Sequence, residues 1–286
     1  NSGSGPEYSD SDLEQIRNNV PYVVNPADTS TYLFYNQEPL TNQVLRKFTS
    51  MQTHNLTVRG GTDKLNFMLS GGFYGKNGVF KIGPDNNERY NLRLNLGAKL
   101  TEKLSLDARI AYTGERTKTP AADVNGGGLL YQIYRLRTRT PFFTPEGRYN
   151  GAGSAATVYA TMEAGGYNKL FKNYFDGTFT LQHTGLVKGL NLRAVAGTQY
   201  RREDRNRFAR TVPLWGRSRV LSYLNQVNSL QITNDLVKNT NIQLLANYDF
   251  KVAGKHSFGL FAGYQWESYR FDRVFNQASN MVSNDL

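Results

Sequence analysis

The sequence predicts an all-β chain: about eight antiparallel strands that supply part of the wall of a larger transmembrane β-barrel with long extracellular loops. Apolar and polar residues alternate with period two through eight segments, as they do in strands that have one apolar and one polar face. The connections between those segments alternate between short turns and long loops. Aromatic residues collect where strands meet the long loops, and charged residues fall on the face opposite the leucines.

Composition is compatible with this reading and narrows the alternatives. The chain has 286 residues, no cysteine, 39% hydrophobic residues, a mean hydropathy of −0.55 and a formal net charge of +11. No run of about 18 apolar residues occurs, so a membrane-spanning helix is excluded. A barrel wall is not, because half of its strand residues are polar and lower the average. Without cysteine there is neither a disulfide scaffold nor a thiolate metal site. Asn1 to Asp12 are polar and glycine-rich, unlike a secretory signal, which fits a mature start or an internal cut equally well.

Residues 1–50 lack the alternation and are read as an extracellular loop segment. Ser9 to Asn19 predicts a short helix in it, with Ser9 or Ser11 as N-cap and acidic residues in the first turn. Residues 51–269 are read as the barrel strands. His54 to Gly61 is followed across Thr62-Asp63 by Leu65, Phe67, Leu69, Gly71 and Phe73, which alternate with Asn66, Met68, Ser70, Gly72 and Tyr74. Tyr90 to Leu100 is the clearest strand, with Leu92, Leu94 and Leu96 on one face and Asn91, Arg93 and Asn95 on the other. It turns at Thr101-Glu102-Lys103 into Leu104, Leu106, Ala108, Ile110 and Tyr112, completing a hairpin. Phe175, Phe179 and Leu181 lead through the Gly185 to Gly189 turn into Leu190, Leu192, Ala194 and Ala196. Ile242, Leu244, Ala246, Tyr248 and Phe250 lead through Val252 to Lys255 into Phe258, Leu260, Ala262, Tyr264 and Trp266. Residues 270–286 are read as the start of the next external loop, so both ends look like cuts through loops.

The long connections, about 75–88, 115–172 and 201–239, all lie at one end of the strands. A soluble sandwich gives no reason for that, whereas outer-membrane barrels have short periplasmic turns and long extracellular loops. With this orientation Phe73, Tyr90, Tyr112, Tyr174, Tyr200 and Trp266 gather at the extracellular strand ends, where an aromatic girdle belongs. Arg93, Lys99, Asp107, Arg109 and Asp249 fall on the polar face. On the lipid face near the midplane each Lys or Arg would cost roughly 2–4 kcal/mol, a cost that vanishes in a wet lumen.

Around these strands the residues carry a resemblance. Met51-Gln52-Thr53-His54-Asn55-Leu56-Thr57-Val58-Arg59-Gly60-Gly61-Thr62-Asp63-Lys64, then Gly78-Val79-Phe80 and Arg89-Tyr90-Asn91-Leu92-Arg93-Leu94-Asn95-Leu96, resemble the barrel region of the SusC/RagA family, TonB-dependent outer-membrane transporters of Bacteroidetes. Tyr8 to Leu13 and Pro141 to Gly147 are similar to flanking segments of that family. The resemblance implies a 22-stranded barrel in a longer protein that also has a plug and a TonB box. It further implies TonB and a SusD-like lipoprotein as partners and an oligosaccharide or peptide as substrate.

No catalytic motif is present, and no enzyme activity or cofactor is expected. His54, His183 and His256 are scattered, without metal-ligand spacing. Two clusters in the long connections are candidate contact sites. The first comprises Tyr131, Tyr134, Arg135, Phe142, Phe143 and Tyr149, together with Arg137 and Arg139. Aromatic faces stack on sugar rings and arginines pair with anions, so these residues suit a ligand at the lumen mouth; packing of the loop upon itself is the competing reading. The second comprises Arg201, Arg202, Arg205, Arg207 and Arg210, followed by Arg217 and Arg219, opposed only by Glu203 and Asp204. Placed on an external loop, these arginines suit lipopolysaccharide phosphates, an anionic substrate or an acidic partner. Nucleic acid, the generic partner of a basic loop, is not expected beside a barrel wall. Two rivals predict different structures: a passive porin whose eight strands close by themselves, and a secreted all-β binding domain whose leucines pack on a second sheet.

Overall fold

A computed structural model describes residues 8–35, 38–121 and 128–285. The amino-terminal residues before Tyr8, read above as part of a loop segment, lie outside the described residues. The eight predicted strands are β3 (Met51–Gly61), β4 (Leu65–Asn77), β5 (Asn86–Lys99), β6 (Leu104–Thr119), β7 (Gly166–Thr184), β8 (Leu190–Ala209), β11 (Ser229–Val252) and β12 (His256–Ser279). They form one antiparallel sheet in the order β12-β11-β8-β7-β6-β5-β4-β3, so every strand pairs with its neighbour in the chain order of this set. Four tight turns join the hairpins at one end. In the β7–β8 turn Gly189 has φ 87°, and a Cβ there would lie 2.0 Å from the Asp249 carbonyl oxygen, so only glycine closes it.

The cross-strand register aligns the apolar positions into rows. Phe67, Leu96, Ala108, Phe179, Ala196, Ile242 and Trp266 lie in one row across seven strands. From Tyr90 to Leu100, or from Tyr200 to Leu190, the apolar face runs for about ten residues, which at about 3.3 Å each and a tilt of about 40° is a band about 25 Å tall. That is the height of a barrel's lipid-facing band. Nothing among the described residues covers it: Leu92, Leu244 and Leu260 are 52%, 51% and 60% exposed. The second sheet that a secreted sandwich requires is absent among the described residues.

The hydrophobic core lies instead at the loop end of the wall. The 120–165 connection carries α3 (Leu129–Tyr134) and α4 (Ser154–Glu163), and the head segment carries α1 (Asp10–Arg17), the hairpin β1 (Tyr22–Val24) with β2 (Tyr32–Phe34), and α2 (Thr41–Val44). A further hairpin, β9 (Val212–Trp215) with β10 (Val220–Leu224), rises between β8 and β11. Leu40, Val44, Phe80, Leu129, Ile133, Phe142, Val158 and Met162 bury one another there. The chain thus combines a wall without its own core and a cap that has one. Helix α1 starts where the sequence predicts: Ser9 caps it, with the reciprocal Ser9–Asp12 capping box formed.

Three expectations need correction. The strands run far beyond their predicted ends: β8 continues to Ala209, β11 begins at Ser229 and β12 ends at Ser279, so most of 201–239 and the first part of 270–286 are strand and not loop. Above the aromatic level both faces meet water, so alternation stops while the backbone ladder continues. Tyr174 lies on the polar face, hydrogen-bonded to Glu203, while Phe175 takes the apolar place between Tyr112 and Tyr200. Finally, β3 and β12 are the two open edges of the sheet and do not pair with each other, so these eight strands do not close into a small barrel.

Candidate functional site

The two predicted clusters fare differently. Tyr131, Gln132 and Arg135, from α3 and its end, face Thr140 and the first turn of α4 (Ser154 and Ala155) across a cleft of about 470 Å³ that Arg137 and Arg139 also line. The Arg135 guanidinium lies 5.2 Å over the Tyr131 ring and donates to its hydroxyl at 3.1 Å. Tyr131, in the lining, is 53% exposed, and Tyr134, outside the lining, is 74% exposed. Arg139 lies 5.3 Å over the Tyr8 ring. The cleft therefore offers cations, an aromatic face and hydroxyl groups together, a set that suits sugar rings and carboxylates alike.

Phe142, Phe143 and Tyr149 stand apart from that cleft. Phe142 is buried, and the rings of Phe142, Phe143 and Tyr149 pack around Tyr159 at centroid distances of 4.7, 4.9 and 6.5 Å. The Tyr149 hydroxyl donates to Glu163 at 2.7 Å, and burial, followed by that carboxylate, holds the phenol well above its ordinary pKa. These three residues build the cap on which the cleft is mounted. Gln132, Thr140 and the α4 first turn were missed in the sequence because Ser154 to Glu163 has no strong amphipathic pattern to announce a helix.

The arginines expected on one external loop are dispersed. Arg201, Arg205 and Arg207 point to the polar face of β8, and Arg202 lies on the opposite face with its Nε 2.9 Å from Asp204. Arg207 donates to the Ala121 carbonyl oxygen at 2.8 Å, Arg210 pairs with Asp285 at 3.2 Å, and Arg219 pairs with Asp28 at 3.1 Å. Strand pairing instead sets up a row of charges across six strands of the polar face: Arg273, Asp235, Glu203, Lys172, Glu115 and Arg89 stand side by side. Arg273 is bidentate on Asp235 at 2.6 and 2.7 Å. Arg273, Asp235 and Glu203 of this row, with Arg205, line a recess of about 370 Å³.

An open antiparallel sheet with an uncovered apolar band, its four hairpin turns at one end and a packed cap at the other, defines the wall of a transmembrane β-barrel. No family model matches the chain. Over 237 residues it is 22% identical to TonB-dependent receptor P26 of Formosa agariphila, covering 81% of this chain and 22% of that receptor. To TonB-dependent receptor P3 of the same organism it is 20% identical over 248 residues, covering 83% of this chain and 23% of the receptor. In fold it is similar to structures of the RagAB peptide importer: in the closed-closed state the TM-score is 0.64 at 16% identity, and in the open-open state 0.65 at 16% identity. Each match covers 88% of this chain and 28% of the importer chain. The chain is similar to a segment of TonB-dependent receptors in sequence and of the RagAB peptide importer in fold, and it spans about a quarter of the length of the proteins it matches.

Proposed function

We propose that this chain forms part of the wall and cap of a TonB-dependent transporter in the outer membrane, with the apolar band in lipid, the tight turns in the periplasm and the cap outside. The observation that carries this reading is the uncovered apolar band of about 25 Å on an antiparallel sheet whose long connections all lie at one end. A SusD-like lipoprotein sits over the cap, and an oligosaccharide or peptide meets Tyr131, Tyr134 and Arg135 at the mouth before moving inward when TonB acts on the plug. The charged row on the polar face faces the lumen. No bond is made or broken, and the work comes through TonB.

The absence of cysteine makes the test direct. In the full-length protein in intact cells, Ala152→Cys is expected to react with a membrane-impermeant maleimide. Leu94→Cys is expected to react only with a lipid-soluble one. Uptake of peptide or oligosaccharide mixtures is expected to stop when TonB is removed or the proton gradient is collapsed. Labelling of Leu94→Cys from the aqueous phase, or uptake that persists without TonB, overturns the reading.

A further inference from the structure

The outer face of β8, β11 and β12 changes chemistry in a fixed order as it leaves the apolar band. The row Ala196, Ile242 and Trp266 is apolar. The next outer-face row is Thr198, Thr240 and Ser268, three hydroxyls side by side. Above it stand Tyr200, Lys238 and Arg270. With strands about 4.8 Å apart and successive same-face residues about 7 Å apart, these six side chains occupy a patch about 10 Å wide and 7 Å tall.

Two features distinguish this patch from the rest of the wall. Lys238 and Arg270 are directly opposite each other in the ladder, an arrangement in which like charges repel. On β5 and β6 the first charges above the aromatics, Glu88 and Arg116, are opposite each other with opposite sign. The acidic groups near the patch are already engaged: Asp272 with the Nε of Arg270 at 2.7 Å, and Asp204 with Arg202 at 2.9 Å and Asn234 at 2.6 Å. Among the described residues Lys238 has no ion pair, and it is exposed. Asp272 offsets Arg270, so the charge left for an anion from outside the protein is that of Lys238, with the terminal N–H groups of Arg270 beside it.

We propose that this patch binds a phosphate of the lipid A headgroup of lipopolysaccharide, with Lys238 supplying charge, and Arg270, Thr198, Thr240 and Ser268 supplying hydrogen bonds. The inference rests on the apolar band facing lipid. Phosphate accepts several hydrogen bonds while carrying negative charge, which matches a grid of hydroxyls under a lysine and the N–H groups of an arginine. Tyr200 and Trp266 flank the grid at the level where amphipathic rings settle at headgroups. The acyl chains then run down the apolar rows beneath.

The test uses the full-length protein in nanodiscs, with native mass spectrometry reading retained lipid. Bis-phosphorylated lipid A is expected to remain bound, and its retention to fall about tenfold in Lys238→Gln/Arg270→Gln. Enzymatically dephosphorylated lipid A is expected to be lost from both proteins. Equal retention of bis-phosphorylated lipid A by the double variant and the parent overturns the proposal. Equal retention of phosphatidylglycerol overturns the choice of lipid A, and displacement by inorganic pyrophosphate shows a site for soluble anions instead. The double variant is expected to keep heat-modifiable gel mobility and TonB-dependent uptake, so loss of the lipid site is distinguishable from failure of the transporter reading. Aqueous labelling of Leu94→Cys would sink both.

Discussion

Phe142 is 2% exposed and packs its ring 4.7 Å from that of Tyr159 inside a core made only of cap residues. Truncating it to alanine is expected to cost the cap about 3–5 kcal/mol, the usual range for removing a buried phenyl ring. Because the wall shares little of that core, hydrogen exchange in the full-length protein should speed up over α3 and α4 while β5 and β6 keep their protection. Uniform loss of protection would show that cap and wall unfold together. A second residue-scale effect concerns Asp12, whose Oδ1 accepts from the Tyr35 hydroxyl at 2.6 Å and whose Oδ2 accepts from the Ser9 amide at 3.0 Å. The Tyr35 bond, then those from Ser9, lower the Asp12 pKa, and burial followed by Asp12 pushes Tyr35 up to about 12. A carboxyl whose folded pKa lies below its ordinary value of 3.8 stabilises fully above that value and loses its contribution as pH falls through the folded one. Amide exchange in α1, relative to its intrinsic rate at each pH, is therefore expected to accelerate as the pH drops below about 4. In Asp12→Asn that acceleration should be missing; if it persists, another group is responsible.

Among the elements, β5 sorts its residues most sharply. Leu94 stands between Leu69 and Ile110 on the apolar face, and its neighbour Asn95 stands between Met68 and Arg109 on the other. Leu94→Arg is expected to lower folding stability in vesicles by about 2–4 kcal/mol, and Asn95→Arg by less than about 1 kcal/mol, as read from urea titrations. Equal effects would contradict the assignment of faces. The same contrast explains what the sequence made legible. Within the band one face meets lipid and the other water, so each residue type reports its side, and all eight strands and four tight turns are visible. From Arg201 to Arg207, and from Tyr269 to Ser279, water is on both sides, the two faces share one composition, and the continuing ladder leaves no periodic mark. The cleft was half legible for a related reason. Tyr131 and Arg135 stand four apart on one helical face, whereas the α4 turn opposite them is built from Gly153, Ser154 and Ala155, small residues that signal a loop as readily as a helix. Mutating the legible half should reveal its role: Tyr131→Ala with Arg135→Gln is expected to raise the substrate concentration for half-maximal uptake several-fold at unchanged surface abundance. An unchanged uptake curve would leave these residues as cap surface.

For the whole molecule the open edges are decisive. Every residue of β3 is exposed, and so is every residue of β12 except Asp272. In the band, Phe258 to Trp266 of β12 present the unpaired side of their backbone to whatever lies beyond, and each unsatisfied group in hydrocarbon costs several kcal/mol. Two such edges cannot persist in a bilayer. Nor do they satisfy each other, because β3 and β12 stand at opposite ends of the sheet order and share no ladder. The 286-residue chain produced alone with detergent or vesicles is therefore expected to give no heat-modifiable monomer and to associate through its edges. Strands supplied on either side in a longer chain should restore a compact, heat-modifiable form. A monodisperse, heat-modifiable monomer from these residues alone would mean that β3 and β12 pair after all, and the wall would have to be read as a small closed barrel.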